Sequence, residues 1–142
     1  MRCVQILIDA DNVHPVRLRA LLDALEQVGL VPGPALSMTV SGRPAALADS
    51  AWPEGAELVE QTGWQGADAA LAEAYRQDHE PLVIASGDGD FRQLVALHPG
   101  PVLVVAAAES TAGRLRDVAT VVDPVHAESD RIVNWLRGAT TA

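Results

Sequence analysis

Apolar residues fall along this chain in two rhythms. Short apolar runs recur at Val4 to Ile8, Ala35 to Val40, Ala56 to Val59, Leu82 to Ala85 and Val102 to Val105, each with the length of a buried strand. Helical spacing fills the intervals. Leu18, Leu21, Leu22, Leu25 and Val28 predict one helix, with Pro15 at its first position and Gly29 as its stop. Ala45 to Ala48 predicts a short helix and Ala67 to Gln77 a longer one, with Ala70, Leu71, Ala74 and Tyr75 inward. Asp90 to His98 predicts another, ended by Pro99-Gly100, and Ser110 caps one through Leu115 and Val118. Ile132, Val133, Trp135 and Leu136 mark the last, ended by Gly138 and followed by a frayed tail from Ala139 to Ala142. Val121-Val122 reads as a short edge strand. Ser41-Gly42-Arg43-Pro44 breaks the second strand, and loops follow at Asp49 to Gly55 and Gln61 to Gly66. Strands that carry apolar runs, alternating with helices throughout, predict a parallel sheet covered on both sides.

Composition narrows this picture. The length, 142 residues, suits one domain, here drawn over residues 1–138. Hydrophobic residues make up 49% and aromatics 4%, so the core must be aliphatic. No apolar run reaches the ~18 residues of a membrane span. Met1-Arg2-Cys3-Val4 leads straight into the first strand, without the pattern of a signal peptide, so a cytoplasmic location is expected. Cys3 is the only cysteine, which excludes an internal disulfide and a cysteine-rich metal site. The net charge is −9, and every one of the 10 basic residues is Arg. That balance argues against nucleic-acid binding through a broad basic patch, but it leaves metal-dependent nuclease chemistry open.

Polar residues concentrate where two apolar runs end. Ile6-Leu7-Ile8 runs into Asp9-Ala10-Asp11-Asn12, and Val83-Ile84-Ala85 runs into Ser86-Gly87-Asp88-Gly89-Asp90. Open α/β sheets carry their chemistry at the carboxyl ends of strands, and each of these ends delivers two carboxylates. Together with Gly66-Ala67-Asp68, these segments resemble, in order, the three acidic motifs of NYN domains, which belong to the PIN-like superfamily of metal-dependent ribonucleases. The resemblance runs from Val4 to about Pro124 and includes Leu115-Arg116-Asp117-Val118-Ala119. Ala10 stands where the family usually has Gly, and Gln65 where Lys or Arg is common.

The resemblance implies a three-layer α/β/α domain with a mainly parallel sheet of about five strands. It implies hydrolysis of RNA phosphodiester bonds by a metal-activated water. Asp9, Asp68, Asp88 and Asp90 would be the catalytic cluster and the ligands of Mg²⁺ or Mn²⁺. Hard cations prefer such oxygen donors, and carboxylates packed closely would repel one another without a cation to hold. Asn12 would orient a ligand or the substrate, Ser86 would contact a phosphate or water, and Arg43 and Arg92 would lie nearest the mouth. Asp11 points with Asp9 if the strand extends that far; otherwise it caps a helix. The sequence leaves open both a homodimer and a protein partner that supplies the positive surface this chain lacks.

Each polar residue also has a structural explanation. Asp68 would suit a helix first turn, and Asp88 or Asp90 a helix cap. Asp11 or Asn12 would suit an Asx-turn. His14 suits a cap or a solvent-facing site, and His79, His98 and His126 fall in loops. Trp52 and Trp64 offer a stacking surface or pack their loops, and Trp135 belongs in the core. Two other functions compete. A haloacid-dehalogenase-like phosphatase would use Asp9 as nucleophile and Asp11 as acid/base, but the chain has no Lys for that motif set. A catalytically silent NYN module would bind protein or nucleic acid without cleaving it.

Overall fold

The computed structural model describes residues 3–61, 66–88, 91–107, 113–125 and 129–141, without the side chains of 66–68 and 114. The chain alternates strand and helix: β1 (Val4–Asp9), α1 (Pro15–Val28), β2 (Leu36–Gly42), α2 (Pro44–Ala48), β3 (Glu57–Glu60), α3 (Gly66–Ala74), β4 (Leu82–Ala85), α4 (Arg92–Leu97), β5 (Val102–Val105), α5 (Gly113–Arg116), β6 (Thr120–Val122) and α6 (Ser129–Thr140). All strand pairs are parallel, in the order β3-β2-β1-β4-β5-β6. The sheet thus has six strands rather than five, because the short Val121-Val122 segment pairs with Val104 and Val105.

The order grows outward from β1 in one direction, then from β4 in the other. Right-handed crossovers must then put the two sets of helices on opposite faces. Leu18, Leu21 and Leu25 of α1, Leu47 of α2 and Ile132 of α6 pack with Ile6, Ile8, Val40 and Val83 on one face. Leu71 of α3, Val95 of α4 and Leu115 of α5 pack with Leu7, Ile84 and Val104 on the other. The six residues of β1 are all buried, as a central strand covered on both sides requires.

Local signals explain several boundaries. His14 caps α1, its Nδ1 accepting the Val16 N–H at 3.1 Å. Gly29 closes that helix in the left-handed region at φ 78°. Several boundaries depart from expectation, three of them with a cause in the hydrogen bonding. Strand β2 continues through Ser41-Gly42 because β1 and β3 pair with it there. Helix α3 ends at Ala74, not Gln77. The Tyr75 N–H still bonds the Leu71 carbonyl, but the buried Gln5 side chain captures Arg76: its Oε1 accepts the Arg76 N–H at 2.7 Å and its Nε2 donates to the Arg76 carbonyl at 3.0 Å. Helix α6 runs through Gly138 to Thr140, where the Thr140 and Thr141 hydroxyls donate to the Leu136 and Arg137 carbonyls. Ala139 and Thr140, expected in a frayed tail, are therefore helical. Trp135 is only partly buried against the first core, and His98 is buried rather than a bland loop residue.

Candidate functional site

The point where strand order reverses lies between β1 and β4, and in open parallel sheets a crevice forms there, beyond the carboxyl ends of the strands. Asp9 is the last residue of β1 and is fully buried. Its Oδ2 accepts two hydrogen bonds, from Asn12 Nδ2 at 2.5 Å and from Ser86 Oγ at 3.2 Å. Ser86 follows β4, so the second bond spans the reversal point. Ser86 Oγ in turn accepts the Asp88 N–H at 3.2 Å. The two strand-end turns are thereby joined through one carboxylate oxygen.

The other oxygen, Asp9 Oδ1, is buried and has no hydrogen-bond partner among the described residues. A buried, unpaired carboxylate oxygen is costly, by roughly 1–3 kcal/mol for a neutral polar group and more for a charged one. Burial pushes the Asp9 carboxyl above its ordinary pKa of 3.8. The Asn12 and Ser86 hydrogen bonds, and more weakly the Asp11 backbone N–H, pull the other way without cancelling it, and the charge of Asp11 adds to the rise.

Asp11 itself is exposed and turned aside. Its Oδ1 accepts the Arg43 N–H at 2.9 Å, so it braces the turn after β2 rather than capping α1. The brace needs a small residue beside it. A Cβ on Gly42 would lie 3.1 Å from Ala10 Cβ and 3.3 Å from Asp11 Oδ1.

The remaining sequence candidates fall as follows. Asn12 and Ser86, expected to meet substrate, each have a hydrogen bond to Asp9; Ser86 is fully buried and Asn12 exposed. Asp88 is partly buried and sits in the turn after β4. Arg43 precedes α2 and Arg92 opens α4, both exposed. Asp68 falls in the first turn of α3, but its side chain, Asp90 and Trp64 lie outside the described residues. Trp52 packs against the first core and donates from Nε1 to the Leu47 carbonyl at 2.8 Å.

Sequence reasoning missed Ser41. It is the direct register partner of Asp9 on β2, fully buried, and its hydroxyl has no partner among the described residues. The signal was obscured because Ser-Gly-Arg-Pro reads as a strand break.

An oxygen-only set fits a hard divalent cation. Asp9 Oδ1 is a carboxylate oxygen without a partner, and Mg²⁺ is commonly held by one or two carboxylates with water completing its shell. Among the described residues no three His, Cys, Asp or Glu side chains gather into one such group. A cavity of about 820 Å³ lies on the same face of the sheet but does not include Asp9. It exists because Ala69, Ala70 and Ala74 of α3 face the small side chains of Ser37 and Thr39 on β2. The short side chains leave the layer unfilled there, and nothing of the strand-end chemistry lines it.

No family model and no curated protein matches the chain. Among solved structures it is similar to a protein of unknown function from Vibrio parahaemolyticus, with a TM-score of 0.56 and 17% sequence identity over 86% of this chain and 93% of that one. At that identity the likeness shows the fold. No described helix is long and apolar enough to cross a membrane.

Proposed function

We propose that the chain is a divalent-cation-dependent ribonuclease of the NYN type, acting at the Asp9 end of the sheet. One observation carries the reading: a fully buried strand-end carboxylate has one oxygen clamped by Asn12 and Ser86 and the other left unpaired. A carboxylate fixed in this way is preorganised for a cation, which is the arrangement that keeps binding energy from being lost to reordering. Asp9 and Asp88 would hold Mg²⁺ or Mn²⁺, with Asp68 and Asp90 as the further ligands that the motif resemblance implies. The cation would offset phosphate charge and lower the pKa of a bound water.

The chain's own residues have separable tasks. Asn12 and Ser86 fix the Asp9 carboxylate plane. Asp11 braces the turn that presents Arg43. Arg43, just before α2, and Arg92, at the start of α4, are both exposed and would receive the flanking phosphates. With a net charge of −9, RNA is taken up through such local contacts or alongside a basic partner. The phosphatase reading has less support, because the Asp11 carboxylate needed as its acid/base is engaged with the Arg43 backbone.

The test is cleavage of a labelled single-stranded RNA with Mg²⁺ or Mn²⁺ by wild type, Asp9→Asn and Asp88→Asn. Each variant should lose at least about a hundredfold in rate, and a chelator should silence the wild type. Undiminished cleavage by Asp88→Asn would remove it from the site. A wild type that binds RNA without cutting it under either cation would instead identify a silent binding module.

A further inference from the structure

We infer that Ser41 is a positioning residue of the Asp9 site, its hydroxyl holding the hydration shell of the divalent cation that Asp9 Oδ1 binds. The inference rests on the cation reading of Asp9 and extends it to the neighbouring strand. Asp9 and Ser41 are direct partners in the parallel β1–β2 register. Such partners project to the same face, on strands about 4.8 Å apart. Both residues are fully buried, and the two unpartnered buried side-chain oxygens among the described residues belong to them, Asp9 Oδ1 and Ser41 Oγ. Two orphaned oxygens side by side call for a shared occupant, since buried polar groups are nearly always paired.

The chemistry of the pair selects what that occupant is. A carboxylate oxygen only accepts, whereas a hydroxyl both donates and accepts. Water alone would satisfy both atoms but would leave the carboxylate's charge uncompensated. A hydrated cation compensates the charge at Asp9 and presents water to Ser41. On the opposite side of Asp9, Ser86 already bonds Oδ2. Ser41 is then the β2 counterpart of Ser86, with its hydroxyl still uncommitted.

Mn²⁺ titration by calorimetry on wild type, Ser41→Ala, Ser41→Thr and Asp9→Asn tests this, with melting curves of each in excess chelator. Wild type should bind, and Asp9→Asn should abolish binding. Ser41→Ala should weaken binding about five- to tenfold, the worth of one hydrogen bond, and Ser41→Thr should recover it. In chelator Ser41→Ala should melt no lower than wild type, because its hydroxyl then has no cation shell to hold. Wild-type affinity in Ser41→Ala, with binding still lost in Asp9→Asn, overturns the role of Ser41 while the cation site stands. A lower melting point in chelator with unchanged affinity assigns Ser41 to a structural water and overturns it as well. No Mn²⁺ binding by wild type defeats the site reading itself, and the Ser41 role with it.

Discussion

Asp9 gives the fold a pH dependence of its own. Burial raises its carboxyl pKa in the fold, whereas the unfolded chain keeps a value near 3.8. Below that value both states hold the proton and the fold suffers no penalty. Above it the unfolded chain releases its proton first, so the contribution of Asp9 to stability falls as pH rises through the folded value. In chelator, the advantage of Asp9→Asn over wild type in urea denaturation should therefore widen as pH rises above about 4 and level off once the folded carboxyl has ionised. A gap that never widens contradicts the assignment. Saturating Mn²⁺ should close the gap from the wild-type side, by mass action on the folded state. Asp9, Asn12, Ser86 and Asp88 were legible in the sequence because polar residues clustered where apolar runs stopped. Ser41 was not, because one serine before a glycine carries no periodic signal; only pairing with β1 shows what it faces.

At the scale of elements, β4 and β5 match their sequence limits because each is an apolar run that follows a proline, Pro81 or Pro101, and stops at a small residue, Ser86 or Ala106. The departures at β2 and α3 share a cause: a long-range partner decided the end, β1 and β3 for β2 and Gln5 for α3. At α6 the cause is local, threonine hydroxyls bonding carbonyls four residues back. The turn between α4 and β5 is tighter than its Pro-Gly signal implied. A Cβ on Gly100 would meet the His79 carbonyl oxygen at 2.5 Å and that of Glu80 at 2.6 Å, both backbone atoms. Gly100→Ala should cost about 1–3 kcal/mol in chemical denaturation. The same turn is anchored by His98, whose Nε2 meets the Glu80 carbonyl at 2.6 Å and whose Nδ1 meets the Tyr75 hydroxyl at 2.7 Å. Tyr75→Phe would leave a buried ring nitrogen unpaired and should destabilise by about 1–3 kcal/mol. Because that anchor lies at the opposite end of the strands from Asp9, Mn²⁺ affinity should be unchanged; a parallel loss of affinity would show that the two ends are coupled.

For the whole molecule, the strand order creates the place for chemistry and does not choose the chemistry. The same order serves nucleotide-binding enzymes with a glycine-rich first turn, whereas here that turn is Asp9-Ala10-Asp11-Asn12, which would repel a pyrophosphate. Across the sheet, Arg17 of α1 grips Asp123 beyond β6 through two nitrogens, at 2.8 and 3.3 Å. That pair joins elements 106 residues apart and ties the first helix to the last strand.

The Ser86–Asp9 bond also has a consequence during synthesis. It joins residues 77 positions apart. At about 5–20 residues per second, a ribosome would need roughly 4–15 s to add that intervening chain. Throughout that interval the nascent Ile6-Leu7-Ile8 segment exists without its β4 neighbour, as an adhesive strand in a crowded cell. The carboxylate at its end, unwelcome in the finished core, is at that stage a solubilising gatekeeper for the strand it terminates.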